Sequence, residues 1–161
     1  MVVPPAVESF WAEFVRWSEI DPTPRFYEAF FFDDNEPSAN ELAELVVQGV
    51  KRATAASLWA YEAESKELPK PGHLSVVTEF SGKPVCVIET ESVSVTPFAE
   101  VGATFAATEG EGDGSLAYWQ EAHTAYFVRE CARLGRDFSG DMPVVCEVFR
   151  VVFRASRTNA V

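Results

Sequence analysis

The chain has 161 residues, a length that suits one domain able to bury its own core. At 47% apolar and 13% aromatic it is too hydrophobic for a disordered chain. A formal charge of −12 excludes a tight electrostatic grip on duplex DNA, which requires surplus Lys and Arg along the phosphates. The charge is uneven, with ten acids against Arg16 and Arg25 in residues 1–50 and six arginines against four acids from Arg129 onward. This balance suits a nucleoside or a short single strand better than a duplex. No apolar run approaches the roughly 20 residues of a membrane helix, and Met-Val-Val-Pro-Pro-Ala-Val-Glu lacks the regions of a signal peptide. The expectation is a cytoplasmic protein with no membrane partner. Cys86, Cys131 and Cys146 are too few and too scattered for a disulfide framework or zinc knuckle, so buried reduced thiols are expected. No cofactor and no resident metal are expected.

Val7, Phe10, Trp11, Phe14 and Trp17 recur at helical spacing and predict a first helix, ended by Asp21-Pro22-Thr23-Pro24. Phe26 to Phe32 is too aromatic to be exposed and reads as a packed linker or short element. Ser38 with Glu41 three residues on reads as a capping box opening a second helix, with Leu42, Leu45 and Val46 buried. Gly49 is placed to stop it as a left-handed C′ residue. Beyond Pro69-Lys70-Pro71-Gly72, three segments rich in β-branched and aromatic residues predict strands: Leu74 to Phe80, Val85 to Val95 and Val144 to Phe153. Ser81-Gly82 reads as a hairpin tip. A helix beginning near Ser115 carries Leu116, Trp119, His123, Phe127 and Leu134 on one side, and Gly135 closes it. Without βαβ alternation the class is α+β, with a small barrel and packed helices as the expected architecture. One domain over residues 1–161 is expected, with 1–25 a helical extension and 30–153 the core.

The turn Gly49-Val50-Lys51-Arg52-Ala53-Thr54 is the first candidate for chemistry. A lysine acts as base or nucleophile once burial lowers its pKa, and a hydroxyl three residues on can share its proton or attack a carbonyl. By itself this spacing favours a solvated turn, since surface Lys and Thr meet it by chance in most proteins. The second candidate is Glu109-Gly110-Glu111-Gly112-Asp113-Gly114-Ser115, where acids alternate with glycines before a helix. Such acids complement a helix dipole, wrap a hard cation with their oxygens, or supply a general acid or base beside Lys51. The EF-hand spacing is not met. His123 lies among aromatics as a core histidine or ligand contact, Glu147 stands on an apolar strand face, and Trp59 and Tyr61 are core residues or a stacking surface for a base.

Gly49-x-Lys51-x-x-Thr54, Pro71-Gly72, Val76-Val77, Pro97-Phe98, the Glu109 to Ser115-Leu116 loop with Trp119 and His123, and Val144-Val145-Cys146-Glu147-x-Phe149 together resemble an ASCH-domain protein over residues 30 to 153. The resemblance implies a PUA-like β-barrel with flanking helices and a link to RNA or modified nucleosides. It implies one of three functions: an amidohydrolase of the N4-acetylcytidine type, a ribonuclease on single-stranded RNA, or a non-catalytic reader of RNA or a modified base. In the amidohydrolase type a Lys, a Thr three residues later and a Glu carry the reaction. Lys51 and Thr54 match the first two, and Glu109 matches the third, with Glu111 as competitor. Glu111, Asp113, Ser115, Trp59, Tyr61 and His123 are the residues expected to line the substrate. His73 stands where the family commonly has an acid.

Overall fold

The structure is a computed structural model, and it describes residues 3–156. Two compact units are built from interleaved parts of the chain. The first comprises the described residues of Met1–Gly49, Gly72–Glu89 and Arg150–Val161; the second is Val50–Pro71 with Thr90–Phe149.

In the first unit, helix α1 (Pro5–Trp17) starts on a proline in its first turn, where no N–H is missed, and buries Val7, Phe10 and Phe14. Strand β1 (Phe26–Phe30) is the short aromatic element after it. Helix α2 (Glu36–Val47) begins two residues before Ser38. Asn35 is the N-cap, its Oδ1 accepting from the Ser38 N–H at 3.0 Å, while the Ser38 hydroxyl donates to Asp33. Pro37, preset for the first turn, pulls the start forward and replaces the expected Ser38–Glu41 box. The fully buried stripe of α2 is Ala39, Ala43 and Val46, with Leu42 and Leu45 half-buried. Gly49 takes the left-handed conformation at φ +78° and returns its N–H to Val46. Strand β3 (Leu74–Thr78) pairs parallel with β1 and antiparallel with β4 (Pro84–Pro97) through the turn at Gly82. Val7, Phe10 and Phe14 close over Leu74, Val76 and Val87, and Phe153 stacks on Phe10 at 5.5 Å.

The second unit holds strand β2 (Ala53–Ser57), helix α3 (Leu58–Ala63), helix α4 (Ala103–Glu109), helix α5 (Leu116–Leu134) and the start of strand β5 (Pro143–Arg154). β2 runs antiparallel to β5 with Thr54 opposite Glu147 and Ala55 opposite Cys146. α5 is capped by the Ser115 hydroxyl and ended by Gly135, as its sequence predicts, and lays Trp119, Phe127 and Cys131 against Phe98, Met142, Val144 and Cys146.

The strand order is β1-β3-β4-β5-β2. The expected barrel is therefore an open five-stranded mixed sheet. Closure would require β1 and β2 to hydrogen-bond each other; each has only five residues and is paired on one side as an edge strand. All three cysteines are buried free thiols, and burial pushes Cys86 up to about 12. No helix among the described residues is long and apolar enough to cross a membrane.

The cap assignment is testable. Asn35→Ala should destabilise the protein by about 1 kcal/mol in urea unfolding, the usual cost of a lost N-cap. Ser38→Ala, which keeps the bonded N–H, leaves that cap intact. Equal losses in the two variants would contradict the assignment.

Candidate functional site

The backbone around Lys51 is held from both sides. Arg52 donates its N–H to Thr108 at the end of α4 at 2.9 Å, and its carbonyl accepts from Phe149 on β5 at 3.0 Å. α4 stops at Gly110, left-handed at φ +65°. A Cβ there would lie 2.3 Å from the Val50 carbonyl oxygen, so only glycine lets the two segments meet. This close approach sets Lys51 against Glu109, the last residue of α4.

The Lys51 side chain is 1% exposed. Its ammonium donates to the Ala53 carbonyl at 2.7 Å, to Glu109 Oε1 at 2.8 Å and to Glu111 Oε1 at 2.9 Å. All three are acceptors, as an ammonium that can only donate requires. The second oxygen of Glu109 accepts from the Trp119 indole N–H and faces His123 Nε2 at 3.1 Å. His123 Nδ1 lies 2.9 Å from the Trp119 carbonyl, and its ring stacks on the indole with centroids 4.2 Å apart. Glu111 is the most accessible side chain of the four, at 14%.

Burial alone would lower the Lys51 pKa, but the Glu109 and Glu111 carboxylates outweigh it and raise it above the usual lysine range. Lys51 is thus held as an ammonium, against the neutral base that sequence reasoning considered. Burial alone would raise the Glu109 pKa; the Lys51 ammonium and the His123 ring instead hold its carboxyl far below the usual range. Burial opposes the charge on His123 as well, and Glu109 with Glu111 raises its pKa nonetheless. The Lys51 ammonium is thus set between the two carboxylates, with the His123 ring on the far oxygen of Glu109. Glu109, Glu111 and His123 place ligand-type atoms within 4.8 Å of one another, but the Lys51 ammonium occupies the cation's place between the carboxylates.

The other predicted residues fall elsewhere. Thr54 is half-buried on β2 and makes no side-chain hydrogen bond among the described residues. As the cross-strand partner of Glu147 it shares that residue's face of the sheet. Glu147 is 9% exposed, and its Oε2 accepts from the Thr90 hydroxyl at 2.8 Å. Asp113 accepts from the Ser115 N–H and Ser115 from the Tyr118 N–H, so both shape the entry to α5. Trp59 lies partly buried on α3 with the Arg136 guanidinium 4.5 Å above its ring. Tyr61, two residues on, points to a different side of the same helix and carries Lys66. His73 stacks on Tyr27. The indole donor of Trp119 and the hydroxyl of Thr90 escaped sequence reasoning, because apolar periodicity explains the first and nothing local marks the second.

These charge states predict a pH dependence of stability. Glu109, depressed in the fold, contributes stability that is complete above 4.5 and lost as pH falls toward about 2. His123, raised in the fold, contributes stability that is complete below 6.5 and lost as pH rises through its folded pKa. Urea unfolding across pH 3 to 9 (a range of roughly two units beyond each ordinary value) should show the largest cluster contribution, wild type minus a Glu109→Gln, His123→Gln variant, between those limits. A contribution constant across neutral and alkaline pH would contradict the raised pKa of His123.

The ASCH domain family model matches residues 28–153. The crystal structure of an ASCH domain from Lactobacillus crispatus superposes with a TM-score of 0.89 at 39% identity, covering 94% of this chain and 97% of that one. Protein EF3133 from Enterococcus faecalis superposes at 0.80 with 33% identity, over 92% of this chain and 89% of its own. A search of curated proteins finds no match. With the family model matched over residues 28–153 and an ASCH domain of 39% identity superposing over 94% of its length, the chain belongs to the ASCH-domain family.

Proposed function

We infer that this protein is a hydrolase that cleaves an amide on a modified nucleoside, of the N4-acetylcytidine type, free or within a short single-stranded RNA. The observation that carries the reading is the buried Lys51 ammonium shared between an enclosed carboxylate, Glu109, and a solvent-reachable one, Glu111. A fixed positive charge in a water-poor site stabilises an oxyanion far better than one in bulk water. Amide hydrolysis also needs a carboxylate that takes a proton from the nucleophile and returns it to the leaving amine.

Lys51 polarises the carbonyl and stabilises the tetrahedral oxyanion as an ammonium. Glu111, 14% exposed, turns from Lys51 to the substrate, which frees an ammonium proton for the oxyanion; its carboxylate takes the proton of the attacking group and delivers it to the amine. Glu109 is enclosed by three donors and holds Lys51 in place. Water supplies the attacking oxygen, so the acyl group leaves as a carboxylic acid when the amine takes its proton. The overall acidity favours a single base over a long strand.

Lys51→Met and Glu111→Gln should each lower N4-acetylcytidine hydrolysis by about 100-fold or more, the usual weight of an oxyanion donor or a general base. Undiminished turnover in either variant would contradict these roles. Single-stranded RNA, incubated with and without chelator, separates this reading from a ribonuclease. A nucleoside that raises the melting temperature without being consumed would replace hydrolysis with binding.

A further inference from the structure

We propose that His123 is a positioning residue of this site, standing as an imidazolium that keeps Glu109 anionic and immobile so that Glu111 alone exchanges its partner with substrate. The inference rests on the hydrolase reading for its kinetic consequence, and on geometry for the charge.

Both ring nitrogens of His123 face acceptors. Nδ1 is 2.9 Å from the Trp119 carbonyl oxygen, which has no proton to give, so Nδ1 carries one. Nε2 is 3.1 Å from Glu109 Oε2. The same oxygen accepts the Trp119 indole proton, and the other oxygen accepts from Lys51. Glu109 is therefore an acceptor on both sides, and Nε2 meets it favourably only by carrying a proton too. A ring protonated at both nitrogens is charged.

The charge has a defined effect on the two carboxylates. Glu109 from α4 and Glu111 from the following loop are the anions facing His123, and Lys51 is the cation across Glu109. Trp119 and Phe127 of its own helix add only aromatic faces. With the imidazolium in place, Glu109 is compensated on both oxygens and has no reason to move. With a neutral ring the Nε2 lone pair would oppose Glu109 Oε2, and Glu109 would turn toward Lys51 and compete with Glu111 for its protons. His123 is largely buried, at 8% exposed, with both ring nitrogens turned to protein acceptors. It acts through Glu109.

The imidazole nitrogen and carbon resonances of His123, followed by NMR on the free protein from pH 5 to 10, read its protonation directly. The expected result is a doubly protonated ring at neutral pH that titrates above 6.5, the ordinary histidine value. Glu109→Gln should bring that titration down, and Glu111→Gln should do so less. A singly protonated ring at pH 6 would overturn the assignment whatever the enzyme does. Kinetically, kcat for the amide substrate should fall on the alkaline side in step with the NMR titration. His123→Gln keeps a donor near Glu109 without the charge; it should lower kcat more than tenfold with little change in KM and abolish that limb. A wild-type kcat and pH profile in His123→Gln, with circular dichroism confirming the fold, would also overturn the proposal. If the protein hydrolyses no amide while the ring proves charged, the hydrolase reading fails together with the kinetic role, and the imidazolium assignment stands.

Discussion

The Lys51 ammonium is out of water, and the site is organised around keeping it charged there. An isolated buried ammonium would shed its proton or unfold the region. Here three acceptors surround it, and two of them are carboxylates that themselves require compensation. Glu109 takes that compensation from Trp119 and His123, which lie one turn apart on α5. A single buried charge thus dictates a left-handed glycine at 110, an indole donor, and a histidine with acceptors at both ring nitrogens. Breaking such a group at one member leaves the rest unpaired, which costs about 3–5 kcal/mol in comparable buried pairs.

Two carboxylates in one cluster are given different duties by their surroundings. Glu109 ends a helix and is enclosed on every side; Glu111, two residues on and past the left-handed glycine, is partly open to solvent. Catalytic acids and bases are assigned in this way when environment pushes like groups apart. The sequence spacing cannot separate them, since both lie within the same acid-glycine run. The structure also gives a second polar group on β2, β5 and β4, where Thr54 faces Glu147 and Glu147 accepts from Thr90.

The strongly periodic parts of the chain were readable in advance. α1, the β3–β4 hairpin, α5 with its Ser115 and Gly135 ends, and the last strand lie where apolar spacing and turn residues put them. The start of α2 shifted because Asn35 competes with Ser38 as a cap and Pro37 decides between them. β2 is written in Ala, Thr and Ser, small residues with no strand signature, and it exists because β5 supplies its hydrogen bonds. α4 has only seven residues and too little periodicity to register. Within the site, residue chemistry marks the Lys51 turn and the acid-glycine run, and the family resemblance picks Glu109 within that run, but their contact joins residues 58 apart and depends on tertiary structure. The balance of charges that makes the lysine an ammonium could not be read from one sequence.

Lys51 and Glu109 form a buried ion pair in which each charge depends on the other. A double-mutant cycle with Lys51→Met and Glu109→Gln, read by urea unfolding at pH 6, measures that coupling with the least interpretation. The double variant should be more stable than the sum of the single losses by at least about 2 kcal/mol, because each single change strands a charge that the double change removes. Losses that add within about 0.5 kcal/mol would contradict it.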